Sequence, residues 1–202
     1  WEPSTTEGAE KAKTILGGDL SEDGTLLLLH FSDGIAEVYV LNSNGEQWVH
    51  LGNGIKYGGS SGRAVLSADG STVAISNIFD DVRGNNAGAV RAYRFDTVKG
   101  TWTQMGSTDT YGIDAGDNFG KCLSLSQDGN RLAAGNGLHR NESGLVRVLD
   151  WNGEEWVQIS KDIIGKPSQG VGRFCSFTGS RIALGSSTGY ASQTGLVKVF
   201  EL

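Results

Sequence analysis

The chain has 202 residues, is 38% hydrophobic and carries a net charge of −6, with a pI near 5.0. That length fits one domain, residues 1–202, whose core needs no staple. An acidic chain without a basic stripe is a poor partner for nucleic acid or an anionic membrane, and its short apolar runs are far below the ~18 residues that cross a bilayer.

Glycine is abundant (31) and proline scarce (2). This pairing points to many tight turns and not to disordered linkers. Trp1 at the start reads as a processed, engineered or truncated terminus. The segment 11–16 is the one place where a helical turn fits, and its position in the pattern described below makes it a first strand instead. Ser21-Glu-Asp-Gly24, Ser67-Ala-Asp-Gly70 and Ser126-Gln-Asp-Gly129 share S-x-D-G, and Thr178-Gly179 is a shortened copy. Asp-Gly between two strand-like runs is a hairpin signal, because both residues tolerate positive φ. A second strand follows each turn, over 25–31, 72–76, 131–135 and 181–185. After a loop comes Gly-x-Val-x-Val or a relative of it, over 34–40, 88–95, 144–149 and 195–200. Trp48, Trp102 and Trp156 then fall 54 residues apart, each opening a short alternating run.

The unit is therefore four strands repeated about every 50 residues: approximately 1–51, 52–105, 106–159 and 160–202. Such repetition predicts an all-β fold, a β-propeller of four-stranded antiparallel blades. The last unit lacks its Trp strand, and Trp1 is in phase to supply it. A ring of about four blades closed by sharing one blade between the termini is expected, and it would leave no open edge. The rival is a four-repeat piece of a longer propeller.

The string Asn118-Phe119-Gly120-Lys-Cys-Leu-Ser-Leu-Ser126-x-Asp-Gly, with Leu132-Ala-Ala-Gly135, Gly144-Leu-Val-Arg-Val and Trp156-Val-Gln158, resembles the second type of FG-GAP repeat. That family is related to the integrin α-subunit propeller. The resemblance implies a propeller used for adhesion or assembly, in a secreted, extracellular or lumenal setting. Many FG-GAP blades carry a D-x-D-x-D-G calcium loop. This chain departs from it: the Asp-Gly turns have Ser two residues earlier, and Asp80, Asp81, Asp109, Asp114 and Asp117 lack the alternate spacing that wraps a calcium ion. No metal and no cofactor are expected.

Catalytic patterns are weak. Gly58-Gly-Ser60-Ser-Gly62 matches G-x-S-x-G but lacks the strand-to-helix context of a hydrolase elbow. His30, His50 and His139 sit in three different structural positions and read as surface histidines. Cys122 and Cys175 form no metal-ligand spacing and read as two buried free thiols; a disulfide needs their Cα atoms within about 7 Å, which the sequence leaves open. The tryptophans fill the widening rim. Glu37, Arg91, Arg147 and Lys198 share one place in the third strand and read as structural partners of a neighbouring strand.

The repeats differ most in the loops between their second and third strands. Loop 77–87 carries Phe79, Asp80, Asp81 and Arg83; loop 136–143 carries His139 and Arg140; loop 186–194 carries Tyr190. Variable loops on a rigid scaffold are where binding residues gather, and an aromatic flanked by Arg and Asp suits a protein anchor. Asn141-Glu-Ser143 is an N-glycosylation sequon, with Asn141 as acceptor. The expected function is a non-enzymatic module that binds a protein partner or joins a larger complex through these loops. The alternative is an extracellular adhesion module for carbohydrate or calcium. A hydrolase or lyase at the axial funnel is disfavoured by inner strands that are apolar or small.

Overall fold

The computed structural model describes residues 13–59, 61–178, 180–186 and 195–201. They form four antiparallel sheets in sequence order. Blade 1 contains β1 (Ile15–Leu20), β2 (Leu26–Phe31), β3 (Ile35–Leu41), β4 (Trp48–His50) and β5 (Ile55–Lys56). Blade 2 contains β6 (Ala64–Leu66), β7 (Thr72–Asn77), β8 (Ala89–Asp96), β9 (Thr101–Gln104) and β10 (Thr110–Tyr111). Blade 3 contains β11 (Cys122–Leu125), β12 (Arg131–Asn136), β13 (Leu145–Trp151), β14 (Trp156–Gln158) and β15 (Ile163–Ile164). Blade 4 contains β16 (Phe174–Thr178), β17 (Arg181–Ser186) and β18 (Leu196–Glu201).

Two boundaries differ from expectation. The first described strand lies at 15–20 and reaches the Ser21–Gly24 turn, because Leu20 pairs with Leu27 across it; residues 11 and 12 of the expected 11–16 lie outside the described residues. The outer strand is broken in two. In blade 1, β4 pairs with the end of β3 and β5 with its beginning, and β14 and β15 do the same on β13. Part of what the sequence offers as connection is thus a second piece of the outer strand. Trp1 lies outside the described residues, and closure of a four-blade ring is not among the described contacts.

The S-x-D-G turns are built identically. Each Ser hydroxyl donates to the Asp carboxylate two residues on, at 2.7, 2.6 and 2.6 Å. Each Ser oxygen also accepts the N–H of the residue five ahead. The Asp accepts the N–H of Thr25, Ser71 or Asn130. Only the glycine takes positive φ: Gly24 at 70°, Gly70 at 73° and Gly129 at 64°. Aspartate caps the turn from its side chain. In blade 3 this holds the Asp128 carboxyl down to about 2, with the Ser126 hydroxyl the largest cause.

Alternation in each strand gives every blade two faces, and three cores lie between consecutive blades. Leu28, Ala36 and Val38 of blade 1 pack on Ile55, Tyr57, Leu66, Val73 and Ile75. Ala74, Val90 and Ala92 of blade 2 meet Leu123, Leu125 and Leu132 of blade 3. Ala133, Val146 and Val148 of blade 3 meet Phe177, Ile182 and Leu184 of blade 4. Polar latches cross the same seams. Asp19 accepts the N–H of Leu66, and Ser124, at the matching position, accepts the N–H of Phe177. Arg91 donates to the Tyr57 carbonyl, and Arg147, its counterpart, to the Tyr111 carbonyl, both at 3.0 Å.

Cys122 and Cys175 are joined in a disulfide between β11 and β16, with Cα atoms 5.5 Å apart. This overturns the free-thiol reading. The repeat register explains it: both residues lie on inner strands of adjacent blades, on the two faces that pack together. Two of the three histidines correct the surface reading as well. His30 and His139 are buried; His50 is exposed, beside Glu37. Trp102 packs at the rim against Phe95, and its indole N–H donates to the Leu51 carbonyl at 2.9 Å.

Candidate functional site

Antiparallel order puts both long loop sets at one end of the blades: those between second and third strands, and those leading from one blade to the next. The S-x-D-G turns lie at the other end. The loop end carries the sequence-predicted residues, in two groups.

The first group is loop 78–88 of blade 2. Phe79 and Val82 are 49% and 67% exposed. Their neighbours hold the loop shut. Asp80 accepts the Val82 N–H, and the Gly88 N–H bonds the Asp80 carbonyl. Asp81 accepts the Asn86 N–H at 2.7 Å. The other Asp80 oxygen lies 3.5 Å from Arg91, whose guanidinium also pairs with Asp109 at 2.6 Å. Arg83 stacks its guanidinium 5.5 Å from the Tyr111 ring centroid. Asp80 and Asp81 therefore build the loop, whereas Phe79, Val82 and Arg83 are presented by it. The sequence gives no signal for Val82 beyond its place beside Arg83.

The second group joins blades 2 and 3. His139 is fully buried, and its Nδ1 lies 2.8 Å from Asp117 Oδ1. The second Asp117 oxygen accepts the N–H groups of Ile113 and Asp114, at 2.8 and 2.9 Å. Arg140 donates to Asp114 at 2.9 Å. Ligand atoms of Asp114, Asp117 and His139 all lie within 4.8 Å of one another. In the sequence these residues fall in separate loops; the fold brings them together. The donor set can hold a divalent cation in part, as three ligands of a larger shell. In the structure the same atoms already serve a brace, with Asp117 bonded to backbone and Asp114 neutralised by Arg140. Among the described residues no Ser, Thr or Cys side chain is hydrogen-bonded to a histidine ring.

The backbone beside this group is strained. Arg140, Asn141 and Glu142 take φ of 39°, 57° and 59°, a region that costs about 1–2 kcal/mol at Arg140 and Glu142 and is easier for Asn141. Three hydrogen bonds from the next connection hold them: Ser168, Gly170 and Val171 donate to the carbonyls of Asn141, Glu142 and Ser143. Asn141 is exposed, while the Ser143 hydroxyl of the sequon is buried and donates to the His139 carbonyl. Tyr190 lies outside the described residues.

Between the inner strands, at the loop end, three blades enclose a cleft of about 380 Å³. Ser61, Arg63 and Ile78 line it from blade 2, Lys121, Asn136 and Leu138 from blade 3, and Arg173 and Phe174 from blade 4.

The chain resembles solved structures in fold. Hydrazine synthase of Kuenenia stuttgartiensis matches with a TM-score of 0.61 at 18% identity, over 93% of this chain and 51% of that one. The Cps50 (Swd1) β-propeller domain of Myceliophteria thermophila matches with a TM-score of 0.55 at 11% identity, over 94% of this chain and 53% of that one. The four sheets are thus arranged like consecutive propeller blades, and the chain spans about half the length of these structures. No family model and no curated protein matches the sequence.

Proposed function

We propose that the chain is a non-enzymatic propeller module, of FG-GAP type, that binds a protein partner through its loop end. The observation that carries this reading is the pair Phe79 and Val82, largely exposed on a loop fixed by Asp80 and Asp81 and flanked by Arg83. An apolar anchor on a preorganised loop loses little entropy on binding. A photo-crosslinker at position 82 should capture one defined protein from the source organism, and Phe79→Asp should abolish the capture. Equal capture from position 181, at the opposite end, would contradict it.

The disulfide supports a secreted, extracellular or lumenal setting, since such bonds persist in oxidising compartments. For the ring, the exposed face of blade 4 supports the larger-propeller alternative. Phe174, Val197 and Val199 stand on it 56%, 73% and 63% exposed, and we read it as the packing face for a further blade.

A second reading rests on the Asp114–Asp117–His139 group: a cation-dependent adhesion module. Calcium would then raise the melting temperature, and Asp117→Asn would remove the effect. An unchanged melting curve with calcium or chelator counts against it.

A further inference from the structure

The chain is acidic overall, yet the cleft between the inner strands is cationic. Arg63, Lys121 and Arg173 come from three consecutive blades, and no carboxylate lines the cleft among the described residues. The described ion pairs draw on neither Arg63 nor Lys121. Placing Arg63 and Lys121 at one cleft is unfavourable without an anion to compensate them. The repeat pattern does not impose them. In strand register, counting back from the paired inner-strand residues Ala64, Leu123 and Cys175, Arg63 stands where blade 3 has Cys122 and blade 4 has Phe174. Lys121 and Arg173 match Gly62 of blade 2. Two different register positions thus contribute charge to one place, unlike the S-x-D-G serines or the Arg91 and Arg147 latches, which recur in register. Gly137 accommodates Arg173 itself, since a Cβ there would collide with the Arg173 Cγ.

We propose that this cleft binds a small oxyanion, a phosphate or carboxylate group of a small soluble molecule. Arg63 offers a forked donor suited to either group, and Lys121 adds a point charge. The volume lies in the range of small-molecule clefts, and the low-dielectric walls of Ile78, Leu138 and Phe174 strengthen the attraction. The inference is independent of the loop-end reading, because it uses neither Phe79 nor Val82.

The test is calorimetric titration of the intact, oxidised chain with inorganic phosphate and, separately, with malonate, at low ionic strength. Saturable binding of at least one is expected, weakening with added salt; the stronger arm tells phosphate from carboxylate. The Arg63→Ala/Lys121→Ala double variant should bind at least tenfold more weakly, and Arg181→Ala, at the turn end, should bind as the parent does. Should circular dichroism show the double variant unfolded, Lys121→Gln alone should weaken binding at least threefold. Absence of saturable binding to both anions, or unchanged affinity in the folded cleft variant, overturns the proposal.

Discussion

The far faces of blades 3 and 4 carry nearly the same side chains and have opposite surroundings. On blade 3 the paired positions are Cys122, Ser124, Ala133, Gly135, Val146 and Val148; on blade 4 they are Phe174, Ser176, Ala183, Gly185, Val197 and Val199. The first set lies under blade 4, with Ala133, Val146 and Val148 fully buried. Among the described residues no further blade covers the second set, and Val197 and Val199 are largely exposed. Ser124, Ala133 and Gly135, matched by Ser176, Ala183 and Gly185, with valines on the third strands, are the stacking chemistry of these two blades. Burial is supplied by a neighbour, not by the blade itself, as expected of a quasi-one-dimensional array.

The comparison can be broken by charge. Val148→Asp buries a carboxylate without a partner and should cost at least about 3 kcal/mol. Val199→Asp, at the matching place on blade 4, should change stability by about 0.5 kcal/mol or less. Urea midpoints measured side by side check both.

The seam between the two blades also holds the disulfide. Reducing it, or replacing Cys122 and Cys175 by Ser, should cost about 2–4 kcal/mol for a separation of 53 residues. The loss should appear as a lower melting temperature with reductant in the parent only.

Smaller effects follow at the opposite seam. His30 is buried between blades 1 and 2, and burial first, with Arg63 second, pulls its imidazole below the usual range. Above about pH 6.5 both folded and unfolded chains hold it neutral. As pH falls the unfolded chain takes the proton first, so stability declines from pH 6.5 down to the folded-state value. His30→Gln should flatten this part of the stability curve. Phe79→Ala should change stability by about 0.5 kcal/mol or less, because the ring is half exposed and the loop is held by Asp80 and Asp81.

Most of the blade pattern is legible in the sequence because each strand must alternate and each S-x-D-G turn closes locally. Strands β2, β3, β7, β8, β12, β13, β17 and β18 lie within one or two residues of the expected ranges. What is not legible depends on contacts between units. The pairing of Cys122 with Cys175 follows only once the two inner strands are seen to be neighbours. The burial of His139 against Asp117 requires a connection and a loop, 22 residues apart, to fold over each other. The cationic cleft escapes because Arg63, Lys121 and Arg173 occupy different places in the repeat, and a search for repeated positions passes over them. The split outer strand escapes because β5, β10 and β15 are only two residues each, too short to show a period.

Thiol labelling tests the central comparison most directly. In the oxidised chain, Val148→Cys and Val199→Cys each introduce one free thiol at matching places. Val199→Cys should react with a maleimide at close to the rate of the urea-unfolded chain, and Val148→Cys at least about a hundredfold more slowly, since reaction at a buried site waits on opening of the seam. Equal protection of both would contradict the account, because it would mean that the far face of blade 4 is covered in solution.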